Sequence, residues 1–219
     1  MSIIKADAIT ASTGTNTNIG ITGKGSGKVA IGDGTLLFPD ADGSTGQYIK
    51  TDGSANLAFA TLPTAGFTLA AEQATTSGQS VTFGSIPTGT KVIKIMLEAF
   101  STNGAATCLL RIGDAGGLET SGYVSDSNYV PAGTPAFATA TDSFAIDVYN
   151  AATILNGTIE LVLKDAANFT WVQTHILVDP SREENFYGGG VKSLTAELTQ
   201  LQLSTSDTFD AGSVSVMYI

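Results

Sequence analysis

Apolar residues recur at every second position through most of the last two thirds of this chain, a spacing that suits a half-buried β-strand and no amphipathic helix. Ile93, Ile95 and Leu97 alternate with Lys94, Met96 and Glu98. Cys108, Leu110 and Ile112 alternate with Leu109 and Arg111, and Phe144, Ile146 and Val148 with Ala145 and Asp147. The pattern continues in Ile159-Glu160-Leu161-Val162-Leu163-Lys164, in Val172, Thr174, Ile176 and Val178, and in Val214, Val216 and Tyr218. With Val81/Phe83 and Leu194/Leu198 this predicts at least eight strands. Breaks at Gly84, Pro87-Thr88-Gly89, Asn103-Gly104, Gly116-Gly117, Pro131, Asn156-Gly157, Pro180, Gly188-Gly189-Gly190 and Gly212 separate them at the intervals of an antiparallel sandwich. The expected architecture of residues 63–219 is therefore an all-β, jelly-roll-like sandwich. One helix candidate, 191–203, has Leu194, Leu198 and Leu201 at helical spacing, but its Thr, Ser and Gln content favours a long bulged strand.

Residues 1–62 are different. They hold ten of the 25 glycines and few apolar stretches, all short, such as Val29-Ala30-Ile31 and Leu36-Leu37-Phe38. Such a segment buries too little surface to offset its own ordering entropy. Its Asp-Gly steps mark tight turns between brief β segments. The expectation is an extended, Gly-rich arm that intertwines with its copies or is clasped by neighbouring proteins. The two parts also differ in charge: five acids face four lysines before residue 63, and 15 acids face six bases after it.

A net charge of −10 and a pI near 4.3 repel phosphate backbones and anionic lipid, so neither nucleic acid nor membrane is an expected partner. No apolar run approaches a membrane span, and polar residues follow Met1-Ser2-Ile3-Ile4-Lys5 where a signal peptide would be apolar, which reads as a soluble, unexported chain. A lone Cys108 excludes an internal disulfide and a cysteine zinc site. One histidine and two arginines leave little for acid–base chemistry at neutral pH.

The segment Gly46-Gln47-Tyr48-Ile49-Lys50-Thr51-Asp52-Gly53-Ser54-Ala55-Asn56-Leu57-Ala58-Phe59 resembles a Gly-Gln-x-Leu-x-Thr-Asp-Gly-x-Gly-x-Leu-x-Trp element of tail-fibre and appendage proteins of tailed bacteriophages. Ile49, Ala55 and Phe59 depart from that pattern. Val29-Ala30-Ile31-Gly32 is similar to repeat units of the same fibres, and both the stretch from Ile112 to Tyr123 and Phe209-Asp210-Ala211-Gly212-Ser213-Val214 look like parts of phage virion β-sandwich modules. The resemblance implies a homotrimeric virion protein, assembled in the host cytoplasm, attached to other virion proteins through its N-terminal segment and meeting the host surface with its distal domain. A capsid decoration or head-fibre protein and a carbohydrate-binding module are the alternatives. Three copies would bring together a charge of −30, so higher ionic strength is expected to strengthen association.

Candidate contact residues lie on one strand and the segment after it. Val172, Thr174, Ile176 and Val178 form one face, which leaves Phe169, Trp171, Gln173 and His175 on the other, expected to meet a neighbouring subunit or, as an aromatic platform, a host surface glycan. The run from Asp179 to Gly190 reads as a polar loop, in which Phe186 and Tyr187 are candidate ligand contacts and Arg182 a candidate interchain ion pair. Asp33, Asp40 and Asp42 echo the start of a calcium loop without its closing Glu, and Asp114, Glu119 and Asp126 flank Gly116-Gly117; turn formation explains both groups without a metal. Glu160, Glu183 and Glu184 are acids without a fixed catalytic spacing. There is no Gly-x-Ser-x-Gly elbow, and Gly23-Lys24-Gly25-Ser26-Gly27-Lys28 lacks the spacing of a phosphate loop. No catalytic, cofactor or metal residue is assigned.

Overall fold

A computed structural model describes residues 30–31, 36–39, 43–54, 56–62, 66–129 and 136–219. The chain separates into two units, Met1–Thr64 and Ala65–Ile219. In the first, β1 (Ala30–Ile31) pairs antiparallel with β2 (Leu36–Leu37), and β3 (Gln47–Thr51) with β4 (Leu57–Thr61). The β3–β4 turn is held by Asp52. Its Oδ1 accepts from the backbone of Ser54 at 2.7 Å and of Asn56 at 3.2 Å, and its Oδ2 from Asn56 Nδ2 at 2.9 Å. Donors around that carboxylate, the Asn56 side chain first, lower the Asp52 pKa. Gly53 follows at φ 82°, a value that costs glycine nothing.

The second unit contains β5 (Thr68–Leu69), β6 (Gln73–Ala74), β7 (Ser80–Phe83), β8 (Val92–Thr102), β9 (Cys108–Asp114), β10 (Gly117–Leu118) and β11 (Val124–Tyr129). It continues with β12 (Ala136–Ala140), β13 (Phe144–Ile146), β14 (Leu155–Asp165), β15 (Thr170–Asp179), β16 (Glu184–Ser193), β17 (Gln200–Ser204) and β18 (Phe209–Tyr218). All pairings are antiparallel. The smaller sheet runs β7-β17-β9, with β10 and β13 both against the far edge of β9; the larger runs β12-β11-β16-β15-β14-β8-β18, with β5 and β6 against β18.

Taking β5/β6 as the first of eight strands, followed by β7, β8, β9, β13, β14, β17 and β18, the sheets read 1-8-3-6 and 2-7-4-5. That is the winding of a jelly roll, as the alternation predicts. Two insertions modify it: β10–β12 between the fourth and fifth strands, and the β15–β16 hairpin between the sixth and seventh. Strands β15, β16, β11 and β12 extend the larger sheet beyond β14.

Both sheets contribute to one core, with Ile93, Ile95, Ile159, Leu161 and Val216 from the larger and Leu110, Ile112, Phe144, Ile146 and Leu201 from the smaller. The extension is tied to the smaller sheet through side chains. The outer edge of β13 would leave backbone donors unpaired, and inward-facing serines of β11 accept them: Ala145 N donates to Ser125 Oγ at 2.9 Å and Asp147 N to Ser127 Oγ at 3.0 Å. Tyr123 stands edge-on to Phe144, 5.0 Å between centroids, and its hydroxyl bonds the backbone of Ile112.

Several boundaries differ from the sequence reading. Asn156-Gly157 lies inside β14 at a register shift, Gly212 inside β18 at another, and all three glycines 188–190 inside β16. The expected single element over 191–203 is instead the end of β16, an irregular stretch 194–199 and β17, so Leu194 and Leu198 are buried without being in a strand. Among the described residues there is no helix long and apolar enough to cross a membrane.

Candidate functional site

Burial along β15 alternates strictly, with Trp171, Gln173, His175, Leu177 and Asp179 pointing into the sandwich. Trp171, Gln173 and His175 are 2, 0 and 2% exposed. The chain's own core covers this row, which corrects the expectation that it meets a neighbouring subunit or a glycan. Phe169, at φ 46° in the preceding turn, is half-buried and with Trp171, Leu163 and Leu198 lines a cleft of about 170 Å³. The face that remains open on β15 is the opposite one, carrying Val172, Thr174, Ile176 and Val178.

The inner row holds a buried polar chain. Gln173 Nε2 donates to His175 Nδ1 at 3.0 Å, which leaves Nε2 of the ring to donate to Ser127 Oγ at 3.0 Å. Ser127 lies two strands from His175, and Gly188 sits between them in register with both. The absence of a side chain there lets the imidazole cross β16: a Cβ on Gly188 would fall 2.6 Å from His175 Cε1 and 2.7 Å from Ser127 Cα. Gly190 makes the same allowance for Phe144 of the other sheet. Ser127, Gly188 and Gly190 escape a reading of the sequence alone; the only signal is three glycines where strands usually avoid them.

Burial pushes the His175 pKa down to about 4, the nearby Asp126 opposing it weakly, so the imidazole is neutral at physiological pH. This binds stability to pH. The unfolded chain takes up a proton near the ordinary histidine value of about 6.5, whereas the folded chain does so only near 4, so stability is full above that ordinary value and falls as pH drops between the two. The expected loss is about 3 kcal/mol between pH 7 and pH 4. Urea unfolding across that range, compared with His175→Gln, checks it: the variant should lose much less, and parallel curves would remove His175 as the cause.

The segment after β15 also differs from its sequence reading. Phe186 and Tyr187 belong to β16, not to a loop; Phe186 is fully buried and stacks on Tyr129 at 5.3 Å, and Tyr187 points outward, 47% exposed. The turn 180–183 is organised by Asp179, whose Oδ1 accepts from Ser181 and whose Oδ2 accepts from Ile154 N at 3.0 Å. Arg182 pairs within the chain with Glu184 at 3.0 Å and lies 4.6 Å above the Tyr149 ring, so its expected interchain ion pair is replaced by an internal one.

On the outer face of the larger sheet the registers align residues from distant segments. Val92, Val162, Val172, Val191 and Val124 occupy one row across β8, β14, β15, β16 and β11. Next comes a polar row with Lys94 and Glu160, an ion pair at 3.2 Å, followed by Thr174, Gly189 and Asp126. A third row holds Met96, Thr158, Ile176, Tyr187, Asn128 and Phe137. Val124, Phe137 and Ile176 are 70, 71 and 69% exposed. At Gly189 the surface dips into a shallow depression of about 540 Å³, bounded by Val124, Val191, Asp126 and Thr139.

No group of three or more His, Cys, Asp or Glu among the described residues is arranged to hold a metal ion. Asp114 accepts from Thr195 and from Gly116 N, its pKa lowered first by the Thr195 hydroxyl; Glu119 pairs with the buried Lys192 at 3.1 Å; Asp126 accepts from Asn128. Asp33, Asp40 and Asp42 lie outside the described residues. No protein-family model, curated protein or solved structure matches the chain.

Proposed function

We propose that the chain is a non-enzymatic structural subunit of a tailed-bacteriophage virion: a trimeric tail-fibre or appendage protein anchored by residues 1–62, with the sandwich turned toward the host surface. The observation that carries this reading is the segment 46–59. Its pattern resembles that of phage appendage proteins, and it folds as a hairpin whose turn is built by the pattern's own Asp52-Gly53. Short, self-closed hairpins of this kind suit an arm that threads among other chains. The sandwich supports a structural role in its own way, since His175 is spent on internal hydrogen bonds, Asp179 on a turn and Glu184 on an ion pair. Several copies on one particle would turn weak contacts with host glycans into useful avidity.

Quantitative mass spectrometry of purified particles together with immunogold labelling tests the reading. The expected result is a copy number divisible by three and label on the tail. Label on the shell would replace it with the decoration-protein alternative, and absence from the particle would overturn it.

A further inference from the structure

We infer that the assembly surface of this chain is the outer face of the larger sheet from β8 to β12, and that its occupant is a second copy of the same chain. This rests on the trimeric reading and names the surface through which the trimer forms. Apolar content comes first: the valine row and the row of Ile176, Tyr187 and Phe137 flank the one polar row across adjacent strands, with Val124, Ile176 and Phe137 about 70% exposed, and large apolar side chains exposed together in this way mark an interaction site.

Charge selects the partner. In a chain of net charge −10, the three rows hold only Lys94 and Glu160, which neutralise one another, and Asp126. The like charge that copies must bring together therefore lies elsewhere, whereas a basic partner would find almost no acidic field here. Extent fits as well. Six strands at a spacing of about 4.8 Å and three rows about 7 Å apart give roughly 600 Å² of flat area, which side-chain relief raises toward the ~800 Å² each partner contributes to a standard interface. The dip at Gly189 gives the face relief for an opposing side chain to fill.

The test is the solution mass of the full chain and of Ile176→Glu and Val124→Glu, measured by light scattering over a dilution series. Both residues are exposed within the chain, so the thermal midpoint of the separated subunit should be unchanged. The expected result is a wild-type trimer and variants weakened about 100-fold or more in association, with Ser80→Glu, at an exposed position of β7 in the other sheet, still trimeric. A second measurement avoids added charge: with Cys108 buried, the thiol of Ile176→Cys should react slowly in the assembly and at full rate after dilution to monomers. Variants that stay trimeric, or a thiol that reacts at full rate in the trimer, would overturn this surface and leave the trimeric reading standing. A monomeric wild type would overturn both.

Discussion

Replacing Trp171 with alanine is expected to lower the folding free energy of the chain by about 3–5 kcal/mol. The indole is one of the largest fully buried side chains, and its row on β15 packs into the core shared by both sheets. Removing it forfeits the apolar transfer term and leaves a cavity that rigid sheets on either side close only in part. Urea unfolding of the separated subunit reads the effect. A loss below about 1 kcal/mol, accompanied by weaker association, would return Trp171 to the subunit interface.

Gly188→Val should be nearly as severe. The new Cβ would meet the Asp126 carbonyl oxygen, His175 Cε1 and Ser127 Cα together, and two of those are backbone atoms of the paired strand β11. Accommodation requires β11 to move away from β16, which breaks the Ser127–His175 bond and loosens the serine bridges to β13. About 3 kcal/mol or more is expected. Gly84→Ala provides the contrast, because a Cβ there meets nothing within 4 Å and φ is not in the left-handed region; it should be neutral or stabilise by a few tenths of a kcal/mol. Equal costs at the two positions would mean that glycine content, and not the close approach, is what matters.

Trp171 and Gly188 also mark where the sequence stops being legible. Alternation in β8, β9, β14, β15 and β18 is plain because one face of each strand is apolar, and the jelly-roll-like sandwich follows from it. On β15, however, both faces are apolar enough to be covered: Val172, Ile176 and Val178 on one side, Trp171 and Leu177 on the other. The choice between them is made by β16, where Gly188 and Gly190 open room on the inner side for His175 and Phe144. Read locally, three consecutive glycines signal a loop; close approach of neighbouring strands overrides that preference. β11, Val-Ser-Asp-Ser-Asn-Tyr, is equally opaque, because two of its three inward residues are serines recruited to satisfy the edge of β13. The candidate surface was hidden for a third reason. Its five valines come from segments spread between residues 92 and 191, and only the strand registers bring them into one row.

That row matters for function only if the chain assembles. The most direct test is the solution mass of the full chain beside a fragment beginning at Pro63, by light scattering at matched concentration. Three times the 22.4 kDa chain mass is expected for the full chain, and a trimer for the fragment as well, since the proposed contact lies wholly within the sandwich. A full chain that remains monomeric would contradict the trimer.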